Sequence, residues 1–251
     1  ELAQHALVWD RAENLARQLS SPVALAALYE NVLRQDLPLD QALELGQRAV
    51  AFHEEWFEDG GRVIGILERL LEIKPDDTWA FDRLKLLFDA QERWDDLFAL
   101  YDRTAAGADP ERKLELLEEA AQIAKDFANH GARAIAYLEQ LLELKPGNAR
   151  LSAALERLYE RHGSHRALIG VIGNRLPQLS LEDAQRERAR IAALWLDELA
   201  DASSALIVIE DIIAHWPKTD GDAPPPKARA LPGSSTPPHA IDITELLERV
   251  L

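Results

Sequence analysis

The 251-residue chain carries 44 acidic against 28 basic side chains, a formal net charge of −16, so neither nucleic acid nor an anionic membrane is an expected partner. Cysteine is absent, which excludes disulfides, thiolate metal sites and a cysteine nucleophile. A 47% hydrophobic but only 6% aromatic composition, rich in Ala, Leu, Glu and Arg, predicts a folded, soluble, all-α protein, because these side chains lose little rotamer freedom in a helix.

Apolar positions at spacings of three and four, interrupted by Pro, Gly and capping residues, predict helices over 2–19, 22–35, 39–57, 61–74, 77–90, 93–105, 110–129, 131–145, 148–162, 164–176, 181–199 and 202–216. Past Pro217 the stretch "KTDGDAPPPKARALPGSSTPPH" has six prolines and almost no large apolar residue, so a flexible linker is expected over 218–240. The last eleven residues, "IDITELLERVL" over 241–251, predict a short helix capped by Asp242 or Thr244, with Ile241, Leu246, Leu247, Val250 and Leu251 as its apolar stripe. That helix can cap the open end of the preceding array, belong to a further repeat, or act as a tethered peptide. Methionine is absent, so the chain is expected to start at Glu1 as a fragment or processed product. No apolar run approaches the roughly 18 residues that span a bilayer; the cytoplasm is the expected compartment and the Ala, Arg and Leu bias points to a bacterial source.

One phrase occurs more than once. "LERLLEIKPDD" at 67–77 returns as "LEQLLELKPGN" at 138–148 and, more loosely, as "IEDIIAHWPKT" at 209–219, so that Pro75, Pro146 and Pro217 are 71 residues apart. Each copy holds aliphatic residues on one helical face (Leu67, Leu70, Leu71; Leu138, Leu141, Leu142; Ile209, Ile212, Ile213), and four positions earlier stands Val63, Ala134 or Ala205, where two helices can cross closely. Each proline ends one helix and opens the way to the next. Between the prolines, "LKLLFDAQERWDDLFALY" at 84–101 aligns without a gap to "LERLYERHGSHRALIGVI" at 155–172, each a helix, a break and a second helix, so the step divides into two helix pairs of about 35 residues.

A unit of that size resembles the tetratricopeptide repeat, with Leu155, Tyr159, Gly163, Leu168 and Ile172 matching the earlier parts of its pattern and Ala134, Leu138 and Pro146 the later ones. The departures are Leu70, Leu141 and Ile212 in place of the second small residue, and longer first helices in alternate units. The likeness covers 39–217; the two earlier helices fit its style but not its register. It implies a right-handed superhelical solenoid of about six antiparallel helix pairs over 1–217, whose first helices line a groove for an extended segment or a partner helix.

Nothing points to chemistry. His162 and His165 are separated by a helix-breaking Gly163, His130 following Asp126 reads as a helix C-terminal contact, and "GVIGN" at 170–174 falls inside a helical pattern. Glu54, Glu55, Glu58 and Asp59 are expected as a solvated face, and the serine pairs Ser20, Ser21 and Ser203, Ser204 as helix caps. No enzyme activity, metal or cofactor is expected. Carried over from the family, the partner-binding positions fall on first helices: Arg150, Arg157 and Arg161, then Gln122 with Lys125, and Trp79, Asp82 with Arg83. Three arginines in line can clamp the carboxylates of an acidic partner segment, unless Glu156, Glu160 and their neighbours already pair with them. The reading is a noncatalytic scaffold for a protein or peptide; the alternative is a regulatory domain of a larger protein, self-inhibited by its own C-terminal segment.

Overall fold

The computed structural model describes residues 2–57, 60–127 and 129–215. Among them stand twelve α-helices and no strand: α1 Leu2–Leu19, α2 Pro22–Leu33, α3 Leu39–Trp56, α4 Gly60–Ile73, α5 Thr78–Ala90, α6 Trp94–Gly107, α7 Pro110–Asp126, α8 Gly131–Leu144, α9 Ala149–His162, α10 His165–Arg175, α11 Leu181–Asp197 and α12 Ala202–Ala214. The expected helices all form, with α2, α7, α11 and α12 ending two or three residues early and α6 two residues late. A 3-10 turn over Leu176–Gln178, which no residue pattern announced, follows α10. Pro217, the linker expected over 218–240 and the helix expected over 241–251 lie outside the described residues. The chain forms two compact units, Glu1–Ala120 and Ala121–Leu251. In each, short connections turn a helix back so that it packs on its predecessor.

The 71-residue step governs the backbone. Helix starts at 39, 110 and 181, at 60, 131 and 202, at 78 and 149, and at 94 and 165 all differ by that step. The leading helices α3, α7 and α11 have 18, 17 and 17 residues, against 13 and 14 for α5 and α9, as the alternating lengths of the pattern require. Pro75 and Pro146 occupy like points, two residues before the caps Asp77 and Asn148. Those caps share one backbone conformation (φ −71°, ψ 102°), and each side chain accepts first-turn N–H groups.

The turns repeat as well. Glu92 and Gly163 both adopt the left-handed region, at φ 54° and 65°, and the next N–H reaches back five residues, Arg93 to Phe88 and Ser164 to Tyr159, at 2.8 and 2.9 Å. Asn129 and Ala200 form a second set, both at φ 51°, with His130 N–H bonded to Ala124 and Asp201 N–H to Trp195 at 2.8 Å each. The first hairpin obeys the same rule one residue out of step. Ser20 at φ 45° precedes a Ser21 N–H bonded to Ala16, and Trp9 stacked on Tyr29 stands where Phe81 meets Tyr101 edge-on. The early helices therefore belong to the same series, displaced by a single residue. Ser20 is a turn residue, Ser21 stands at the N-cap of α2 without a side-chain cap bond, and α12 is capped by Asp201, which accepts the Ser204 N–H and hydroxyl.

The buried layer is built from the stripe positions. Val63, Ala134 and Ala205 are almost inaccessible, as are Leu67, Leu70, Leu141, Ile209 and Ile212. In the first unit α3 and α4 cross so closely that a Cβ at Gly46 would lie 2.5 Å from Leu70. In the second, Ala189 and Ala192 of α11 pack on Ile209 and Ile212 of α12.

Because Gly163 alone in its set of turns lacks a Cβ, Gly163→Ala is expected to lower stability by about 1 kcal/mol and Glu92→Gly to raise it by a similar amount, read from urea midpoints at unchanged m-value.

Candidate functional site

Helix α9 is anchored on one side and bare on the other. Asn148 caps it, and Ser152, Leu155, Glu156, Leu158 and Tyr159 are buried. The Tyr159 hydroxyl donates to Glu139 of α8 at 2.5 Å; burial first, and then this bond, push the phenol up. Arg150, Arg157 and Arg161 stand on the opposite, exposed face at spacings of seven and four.

The carboxylates expected to neutralise them are used elsewhere. Glu156 is 8% exposed and meets Arg175 at 2.8 Å and Arg190 at 3.0 Å; Glu187, 7% exposed, meets the same two guanidiniums at 3.0 and 3.3 Å; Glu160 meets Arg190 at 2.6 Å. Two buried acids and two arginines thus form a closed ring joining α9, α10 and α11. Burial opposes the charge on Arg190, yet the Glu156 hydrogen bond and the Glu187 and Glu156 charges outweigh it and raise its pKa. The pairing of the α9 arginines with Glu156 and Glu160 does not occur. Among the described residues, Arg150, Arg157 and Arg161 meet no carboxylate.

An ion pair in this place recurs through the chain. Glu13 of α1 pairs with Arg48 of α3 at 3.1 Å, Lys85 of α5 with Glu119 of α7 at 2.9 Å, and Glu156 of α9 with Arg190 of α11. The positions are equivalent under the repeat step, and the middle pair is reversed in sign. Glu54 and Glu55 are likewise not simply solvated: Glu54 takes Arg83 at 2.5 Å, and Arg17 holds Glu55 by two hydrogen bonds, keeping its carboxyl below the usual range. Glu58 and Asp59 lie outside the described residues.

The other expected site residues are occupied or placed apart. Trp79, Asp82 and Arg83 belong to the first unit, on α5, where Arg83 is taken by Glu54 and Asp82 lies 3.9 Å from Lys85. Gln122 and Lys125, on the last turn of α7, both turn to Asp126, which leaves that carboxylate engaged within its own helix. The repeat step equates Trp79, Leu86 and Ala90 of α5 with Arg150, Arg157 and Arg161 of α9. Leu86, 59% exposed, escaped notice in the sequence, although its spacing of seven from Trp79 mirrors that of Arg157 from Arg150. His165 contacts Glu198 at 3.3 Å and His162 covers Gly131, where a Cβ would collide with the imidazole; both histidines serve packing. A cleft of about 390 Å³ between α2 and α4 is lined by mutually paired charges, Arg62 with Glu30 at 3.4 Å and Arg69 with Glu72 at 2.8 Å. Among the described residues no helix is long and apolar enough to cross a membrane.

No family model matches the chain, and no curated protein matches it. Solved structures similar to it include PilW, a widely conserved type IV pilus biogenesis factor, at 15% identity and a TM-score of 0.31, covering 79% of this chain and 94% of that one. Another is BtubC (BKLC) from P. vanneervenii, at 17% identity and a TM-score of 0.29, covering 92% and 95%.

Glu156→Gln is expected to cost about 2 kcal/mol, because it breaks a ring of largely buried charges, while Glu160→Gln at the rim costs about 0.5 kcal/mol or less; urea unfolding measures both. Lys85→Glu and Glu119→Arg should each destabilise alone by about 0.5 kcal/mol. Combined, they restore stability by recreating the polarity of the other two pairs, a coupling that a double-mutant cycle reads directly.

Proposed function

We propose that the chain is a noncatalytic scaffold of tetratricopeptide-like helix pairs, wound as a right-handed superhelical solenoid over 1–217, that binds an acidic segment of a partner protein. The observation that carries this reading is the bare arginine stripe of α9. A chain of net charge −16 has carboxylates to spare, yet the two nearest on the same helix are spent on Arg175 and Arg190. Guanidiniums at 150, 157 and 161 extend over three turns and present planar forks, which suits them to bidentate capture of successive carboxylates. The apolar character of the equivalent α5 stripe, with Trp79 37% and Leu86 59% exposed, supports a recognition surface that varies along the repeat while the core does not. Its ligand is protein rather than nucleic acid or membrane, since the overall charge repels both of the latter.

The test uses fluorescence anisotropy of a labelled acidic peptide, a run of Glu and Asp with aliphatic spacers, against the full chain. Binding is expected to weaken with added salt and to fall about tenfold or more in Arg157→Glu/Arg161→Glu, whose circular dichroism should be unchanged because both positions are exposed. Equal affinity of the variant would end the assignment of this face.

A further inference from the structure

Helix α12 exposes apolar residues where its counterparts are covered. Ile213 is 54% exposed, whereas Leu142 and Leu71, one and two steps earlier, are partly buried; Leu206 is 38% exposed where Ile64, two steps earlier, is 5%. In the earlier copies the cover is the next helix: α5 packs on α4, and α9 on α8. By the repeat step the helix covering α12 should start near residue 220. The residues there, "DGDAPPPKARALPG", cannot supply it, because four prolines within fourteen residues forbid a continuous helix.

The missing helix is written further on. "PHAIDITELLERVL" at 238–251 aligns without a gap to "PGNARLSAALERLY" at 146–159: Pro238 falls on Pro146, Ile243 on Leu151, Thr244 on Ser152, Leu247 on Leu155, Glu248 on Glu156, Arg249 on Arg157, Val250 on Leu158 and Leu251 on Tyr159. The same offsets place Leu247 and Val250 on Leu84 and Leu87 of α5. The positions that α9 buries, Ser152, Leu155, Glu156, Leu158 and Tyr159, thus become Thr244, Leu247, Glu248, Val250 and Leu251, an apolar set with one hydroxyl and the same glutamate. The displacement from α9 is 92 residues rather than 71, so 21 extra residues separate α12 from its cover.

We infer that residues 241–251 are the displaced third copy of the α5 and α9 class of helix, and that they dock on the Leu206 and Ile213 face of α12 of the same chain as α9 docks on α8. The occupant is named by its sequence, the seat by the exposed residues of α12. Residues 215–240 reach easily, since the adjacent connections at 74–77 and 145–148 need only four residues to seat the equivalent helix.

Because the chain has no cysteine, Glu210→Cys/Leu251→Cys introduces the only two thiols, at the counterparts of Glu139 and Tyr159, which are hydrogen-bonded to each other. A short bis-maleimide should link them within one chain. Covalent dimers as the main product would place the segment on a second copy and overturn the inference, and so would the absence of any link when both thiols react with a mono-maleimide. In the otherwise unchanged 251-residue chain, hydrogen exchange of 244–251 is expected to speed up about tenfold on Ile213→Asp, with the 184–196 peptides unchanged. Identical exchange in the two proteins would equally refute the docking.

Discussion

Each helix pair in this chain has more apolar surface than its own two helices can hide, and that shortfall organises the rest. Leu67, Leu70, Leu138 and Leu141 are buried on α4 and α8, on which α5 and α9 pack, while Ile209 and Ile212 are buried against Ala189 and Ala192 of α11, and Val63, Ala134 and Ala205 are small enough to allow close approach. The constraint is local and serial: it has to be met again at each pair. It therefore imposes the same helix starts, the same left-handed turn residue and the same cap conformation at intervals of 71 residues. Surface residues answer to no such demand and are free to differ.

This division explains what could be read in advance. Helix starts were legible because prolines, Asn148 and Asp77 mark them with chemistry that acts within a few residues. The turn at Gly163 was visible as a glycine, whereas its twin at Glu92 was not, since glutamate carries no signal for a positive φ and adopts it only because the flanking helices dictate the turn. Ser20 misled for the same reason. The serine suggested a cap, and the position, set by packing, is a turn.

Charge was the least legible feature. From the helix alone, Glu160, three residues from Arg157, is its natural partner, and Glu156 and Glu160 stand directly before Arg157 and Arg161. What decides the matter lies on other helices: Arg190 of α11, 34 and 30 residues away, reaches Glu156 and Glu160, and Arg175 of α10 closes the ring. A buried carboxylate with one guanidinium is costly, and one held between two is tolerable, so the ring draws Glu156 inward and leaves the outer arginines unanswered. No pattern within α9 foretells this, because the competing cations lie on other helices.

The pair that recurs between α1 and α3, α5 and α7, and α9 and α11 separates surface from architecture more sharply. Glu13 with Arg48, Lys85 with Glu119 and Glu156 with Arg190 keep the contact while the sign is exchanged in the middle copy, so the fold needs complementary charges there and is indifferent to which helix carries which. The outer face of α9 differs from these positions in having no partner. Where α5 places Trp79, Leu86 and Ala90, α9 places three arginines that meet no carboxylate among the described residues, and two of them, Arg157 and Arg161, repel each other across one turn of the helix. With the adjacent carboxylates spent on Arg175 and Arg190, these three cations are the ones that the proposed acidic partner would answer.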